Sequence, residues 1–218
     1  MIRVIFFDAA GTLFHLPRGA GWHYAEVARR HGAEVPAEKL ESAFRAAWKK
    51  ASAPPETRVP RPDDDRGWWR ALAAQAFAAC GAEEVVARCF GDLWEEFAKP
   101  GVWELFPEVA AVLADLAGRY RLGVISNFDS RLHRILQALG IARHFEQITV
   151  SSEVGAEKPS SHIYRVALEK FGVAPGEALH VGDEEEADWR GAEQAGLRAF
   201  ELRRPGNSLR EVAGWLGE

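Results

Sequence analysis

From Pro107 onward the chain alternates amphipathic helical stretches with short apolar runs, and this alternation constrains the fold more than any other feature. The pattern reads as helix 107–118, strand 121–126, helix 130–139, strand 145–150, helix 160–172, strand 178–182, helix 186–195, strand 197–202 and a short closing helix. Repeated βα units imply a parallel sheet with helices on both faces, because each crossover must pack back onto the sheet. A further apolar run, Ile2 to Phe7, supplies a strand at the start of the chain. Periodicity alone does not give the strand order.

Between about residues 15 and 100 the pattern changes. Tyr24 to Arg30 reads as a helix ending near Gly32, and Pro36 opens a second helix with Leu40, Ala43, Phe44 and Ala47 at 3–4 spacing. A Pro/Asp-rich stretch, 51–65, reads as a loop and as a plausible mobile part. A third helix carries Trp68, Trp69, Leu72, Ala73 and Ala76, and a fourth runs over about 83–98. The expected organisation is an α/β core of residues 1–14 and 101–218 with a helical-bundle cap, 15–100, inserted after the first strand. Trp48, Trp68, Trp69 and Trp94 are expected to form the core of that cap.

Composition narrows the function classes. The net charge of −5 over 218 residues argues against a general nucleic-acid or anionic-membrane surface. No apolar run approaches the ~20 residues of a membrane span. Met1-Ile2-Arg3 leads straight into a strand without the layout of a signal peptide, so a cytoplasmic location is expected. Cys80 and Cys89 have no CxxC spacing and read as thiols packed in helices.

Several polar residues fall at strand ends. Asp8 closes the first apolar run and opens Asp8-Ala9-Ala10-Gly11-Thr12-Leu13. Ser126-Asn127 follows the run Leu122 to Ile125, and Gly182-Asp183 follows Leu179-His180-Val181, with Asp188 five residues on. Lys158 sits in Glu157-Lys158-Pro159, before a helix. Each alone is an ordinary turn, cap or solvated loop. In this order they describe one site with a nucleophilic carboxylate, a hydroxyl donor, a cation and a second carboxylate, at the strand tips where open α/β sheets bind ligands.

The set Asp8–Thr12, Ser126, Lys158 and Gly182-Asp183 resembles the four motifs of the haloacid dehalogenase-like hydrolase superfamily. Ile125 to Asp129, Arg131-Leu132, His180 to Asp183 and the Trp68-Trp69 pair are similar to a narrower subgroup, that of haloacid dehalogenase-like hydrolase domain-containing protein 3 and rhythmically expressed protein 2. The resemblance implies a Rossmann-like core with the first strand central. It implies a Mg2+-dependent phosphohydrolase of small phosphorylated molecules, acting through an aspartyl phosphate on Asp8. Asp8, Asp183 and the backbone carbonyl of Ala10 would hold the metal, with Asp188 as a ligand or behind one. Lys158 would keep Asp8 ionised, Ser126 and backbone amides would meet the phosphoryl group, Asn127 would belong to the catalytic set, and Thr12 would orient the loop. A monomer or homodimer is expected.

Ala10 departs from the pattern. The superfamily's phosphatases usually carry a second Asp there, which protonates the leaving group and then activates water, a role worth about 10²–10⁴-fold. Alanine has no proton to give. The chain is then a weak phosphatase or one limited to good leaving groups; or it draws an acid from the cap, where His15, His23 and Arg18 are nearest in sequence. Otherwise it is a catalytically impaired scaffold, or it hydrolyses C–X bonds. Asp8–Thr12 matches the Asp-x-Ala-Gly-Thr of phosphonoacetaldehyde hydrolases, which also need a cap lysine, here Lys39, Lys49, Lys50 or Lys99. Dehalogenases also lack the second Asp but do not usually carry Gly182-Asp183.

Overall fold

In a computed structural model, which describes residues 1–217, five strands form one parallel sheet. The last residue of the expected 101–218 segment lies outside the described range. The strands are β1 (Val4–Phe7), β4 (Arg121–Ser126), β5 (Gln147–Val150), β6 (Ala178–Gly182) and β7 (Arg198–Glu201), in the order β5-β4-β1-β6-β7. Every residue of β1 and β6 is buried, as a central parallel strand covered on both faces requires. The edge strands β5 and β7 are partly exposed.

Helices α5 (Val109–Ala117), α6 (Arg131–Ala138), α7 (Ser151–Val154), α8 (Ser161–Phe171), α9 (Gly191–Gln194) and α10 (Val212–Trp215) complete this part. Helix α8 is capped at its start by Ser160, whose hydroxyl accepts the His162 N–H, and ends on Gly172 in the left-handed region. The chain leaves and rejoins the sheet part through a two-stranded antiparallel ribbon, β2 (Phe14–His15) with β3 (Glu104–Leu105), which had no counterpart in the sequence reading.

The chain divides into two compact units. One holds residues 1–15, 55–61 and 104 onward; the other holds 16–54 and 62–103. The second is helical: α1 (Gly19–Arg30), α2 (Ala37–Lys50), α3 (Arg66–Ala78) and α4 (Val85–Glu96). Its core gathers Tyr24, Val27, Leu40, Phe77, Val85 and Leu93, the apolar faces of all four helices. Trp94 belongs to this core, but Trp48 does not: it is 47% exposed and packs edge-on to Trp68 and tilted against Trp69, at ring-centre distances of 5.6 Å to each. The stretch 51–65 is not uniformly loose either. The N–H groups of Thr57 and Arg58 bond to the Gly155 carbonyl at 2.8 and 3.1 Å, and that of Arg61 to Ser152 at 2.8 Å. Both cysteines are free thiols, and no helix among the described residues is long and apolar enough to cross a membrane.

Candidate active site

The sheet register sets the site. Phe7 lies opposite Val124 of β4 on one side and Val181 of β6 on the other. Asp8, Ser126 and Asp183 therefore emerge at the carboxyl ends of three adjacent strands, where the chain's winding reverses direction about β1. The Asp8 N–H is still bonded to the Val181 carbonyl, at 2.9 Å, so the carboxylate stands on the rigid end of the ladder.

Asp8 is buried, and its Oδ1 accepts two bonds, from Lys158 Nζ at 2.6 Å and from Ser126 Oγ at 3.2 Å. The Lys158 ammonium also donates to Asp188 Oδ1 at 2.6 Å. Asn127 holds the lysine by its backbone: its side-chain amide donates to the Lys158 carbonyl (2.9 Å) and accepts the Lys158 N–H (2.7 Å). The structure thus places Asn127 as the clamp of the cation. Thr12 is fully buried and donates through Oγ1 to Asp183 Oδ1 at 2.8 Å.

Gly11 makes this approach possible. Its φ of +92° is in the region that favours glycine, and a Cβ there would lie 2.4 Å from Asp183 Oδ2. Gly182 plays a similar part under Asp188, whose Cγ would be 2.2 Å from an added Cβ. The helix expected over 186–195 starts instead with a wide π-type turn, Glu185–Arg190, before the short α9. That turn carries Asp188 inward, where its Oδ2 accepts the Glu184 N–H at 3.0 Å and its Oδ1 faces Lys158. Such bulges occur often at functional sites.

Carboxylate oxygens of Asp8, Asp183 and Asp188 lie within 4.8 Å of one another. Burial pushes the Asp8 carboxyl up to about 7; Lys158 opposes that, and the charges of Asp188 and Asp183 add to it. Asp183 is also raised, chiefly by burial. Burial acts on Asp188 in the same sense, but Lys158 and a bond from His180 outweigh it and hold this carboxyl well below the usual range. Lys158 is held above its ordinary value by Asp188 and Asp8 against the effect of burial. With all three carboxyls ionised, the set carries an excess of two negative charges over the Lys158 ammonium. An all-oxygen, anionic donor set of this kind fits a hard divalent cation such as Mg2+.

His180 joins this network and escaped the sequence reading as a site residue. It is completely buried in β6, with Nε2 2.9 Å from Asp188 Oδ1 and its ring edge-on to Tyr164 at 5.4 Å. Burial lowers its pKa against the pull of Asp188, so the neutral ring donates through Nε2. The available signal was a polar residue inside a strand run that is otherwise apolar.

The acids suggested for the cap have other partners. His23 is buried in the helical unit with Nδ1 3.4 Å from Glu96, and the Arg18 guanidinium lies over Trp22. His15 stacks on Phe106. Lys39, Lys49, Lys50 and Lys99 are all exposed, and Lys99 pairs with Glu96 at 2.7 Å. A Schiff-base lysine is activated by desolvation, which none of the four has. Ala10 is half-buried and brings no titratable group to the loop.

A family model described as haloacid dehalogenase-like hydrolase matches residues 2–196. The chain is 34% identical over 203 residues to mouse haloacid dehalogenase-like hydrolase domain-containing protein 3, covering 91% of this chain and 81% of that one. Phosphoserine phosphatase of Thermus thermophilus is 43% identical over 99 residues, 44% of this chain and 40% of that protein. A solved haloacid dehalogenase-type phosphatase from Thermococcus onnurineus superposes with a TM-score of 0.69 at 22% identity, over 100% of this chain and 98% of that one, a likeness of fold. With the family model spanning nearly the whole chain and a relative matched over most of both lengths, the chain belongs to the haloacid dehalogenase-like hydrolase family.

Proposed function

We propose that the protein is a Mg2+-dependent phosphohydrolase acting on small phosphorylated molecules, with Asp8 as the nucleophile and Ala10 limiting it to good leaving groups or slow turnover. The observation that carries this reading is the convergence of Lys158 and Ser126 on one oxygen of Asp8 at the end of the central strand. That leaves Oδ2 as the attacking atom. The phosphatases among its relatives and neighbours support a phosphoryl substrate.

In the first half-reaction an Asp8 carboxylate oxygen forms a bond to phosphorus as the bond from phosphorus to the leaving oxygen breaks. Lys158 favours the ionised form of Asp8 against the effect of burial and fixes it in place, and the Ser126 hydroxyl is close enough to turn to a phosphoryl oxygen. In the second half-reaction a water oxygen bonds to phosphorus, the bond to Asp8 breaks, and phosphate leaves. Asp8, Asp183 and the Ala10 carbonyl would hold Mg2+, which when bound supplies positive charge against the phosphoryl oxygens. Asp188 acts behind Lys158, to which it is bonded. No side chain at position 10 protonates the leaving oxygen or takes the water's proton, so both halves proceed without that aid.

The same alanine favours a second reading, a member that keeps the fold and metal set but serves as an interaction scaffold. Assay of p-nitrophenyl phosphate with Mg2+ and with EDTA, on the natural chain, Asp8→Asn and Ala10→Asp, separates the two. A phosphohydrolase turns over only with Mg2+ and Asp8, and faster with Ala10→Asp. A scaffold shows no turnover in any of the three.

A further inference from the structure

Arg204 lies three residues beyond β7 and 192 residues from Thr12, yet its Nη2 donates to the Thr12 carbonyl at 3.1 Å. The same nitrogen is ion-paired to Glu108 Oε1 at 2.6 Å, and the guanidinium sits over the Phe106 ring, 3.7 Å from its centre. The Glu108 side chain is only 7% exposed and that of Arg204 20%. Desolvating an ion pair this far is costly, and truncating either partner would leave a charge stranded. Nothing in the phosphoryl chemistry above uses this pair.

Its place on the site loop gives it a role. The loop from Asp8 to Phe14 closes on itself through Gly11 N–H to Phe14 O (2.8 Å) and Leu13 N–H to Ala9 O (2.7 Å), and it meets the residue just after β3 through Phe106 N–H to Leu13 O (3.2 Å). Among the bonds described for this loop, the one from Arg204 is the side-chain bond that reaches a loop carbonyl from the far end of the chain. Thr12 carries that carbonyl, and its hydroxyl is bonded to Asp183. One residue thus joins Arg204 on its backbone side to a metal-site carboxylate on its side-chain side.

We propose that Arg204, held by Glu108 and Phe106, is a positioning residue that fixes the Asp8–Phe14 loop and, through Thr12, the place of Asp183. The link to Asp183 rests on the reading of a Mg2+ site; the fixing of the loop does not. Arginine suits the task because a planar guanidinium stacks on an aromatic ring while its N–H groups bond in plane, which a lysine ammonium cannot do.

The test uses the full chain, Arg204→Met, Arg204→Lys and Glu108→Gln. Hydrogen exchange without metal is read in peptides covering residues 9–14, β4 and β6, followed by calorimetric titration with MgCl2. Loss of a bond from a charged donor should speed exchange at 11–14 about tenfold or more in Arg204→Met and weaken Mg2+ binding by a similar factor. Rates in β4 and β6 should stay at the natural value, and Arg204→Lys should fall between. Should Arg204→Met fail to fold, Glu108→Gln, which leaves the guanidinium in place, should give the same pattern more weakly. Natural exchange rates at 11–14, or acceleration spread equally over β4 and β6, would overturn the proposal. If the natural chain binds no Mg2+, the functional reading fails, while the exchange at 11–14 still decides the role of Arg204.

Discussion

Replacing Lys158 by methionine removes the ammonium bonded to the two buried carboxylates Asp8 and Asp188, each at 2.6 Å. Methionine keeps the stem's volume, so packing changes little. Breaking a buried pair by removing one partner costs about 3–5 kcal/mol, because the other charge is left uncompensated. For a chain of this size each kcal/mol moves the melting temperature by about 2–4 °C, so a fall of roughly 10 °C is expected without metal. The loss should depend on pH. Asp188, whose folded pKa Lys158 and His180 depress against burial, contributes stability that is present above its unfolded value of 3.8 and is lost as pH falls through the folded one. Asp8, raised by burial to about 7, works in the opposite sense: its ionisation costs stability as pH rises from 3.8 towards 7. Without Lys158 the depression of Asp188 disappears and the cost of ionising Asp8 grows. The difference between the two chains should therefore be largest at about pH 8 and shrink towards about pH 4, where carboxylates take up protons. Thermal unfolding in EDTA at both pH values measures it. A melting temperature within about 2 °C of the natural chain at the higher pH would refute the reasoning, since a buried cation between two carboxylates cannot then be what holds them.

Further outcomes are expected at the same site. Ala10→Asp should raise turnover by about 10²-fold on an alkyl phosphate, and by less on p-nitrophenyl phosphate, whose leaving group needs no proton. Apparent Mg2+ affinity, measured by calorimetry, should fall about tenfold between about pH 8 and about pH 6, because protons compete for an Asp8 raised to about 7. Affinity unchanged over that range would mean that Asp8 is not a ligand. Gly11→Ala should lose about 1–3 kcal/mol in urea unfolding and bind Mg2+ at least tenfold more weakly, since its φ of +92° is strained for alanine and the new methyl would meet Asp183.

The parts of the fold legible in the sequence are those where one physical rule acts alone. Strands β1, β4 and β6 are buried over most of their length, so they read as largely apolar runs, broken in β6 by His180, and the polar residue that closes each run marks the sheet's edge. Asp8, Ser126 and Asp183 stood out for that reason. Other features arise from tertiary contacts that leave no local period. The β2–β3 ribbon is two residues long on each side, too short to show alternation. The π-type turn at Glu185–Arg190 exists because Asp188 is drawn towards Lys158 and His180, and helical spacing alone gave a plain helix there. The Pro/Asp-rich composition of 51–65 suggested a loose loop, yet backbone bonds to Gly155 and Ser152 tie residues 57–61 to the sheet unit. Trp48 follows the helical spacing of a core residue but lies in a surface aromatic cluster with Trp68 and Trp69. The roles of His180 and Arg204 depend on partners 8 and 192 residues away, which no motif links to them.

Whether Asp8 carries the phosphoryl group is the question on which the functional reading turns. Acid quench of a single turnover of p-nitrophenyl phosphate with Mg2+, followed by peptide mass spectrometry, answers it. A phosphoryl adduct on Asp8 in the natural chain, absent in Asp8→Asn along with turnover, is the expected result. Turnover by Asp8→Asn at the natural rate, with no adduct in either chain, would contradict it.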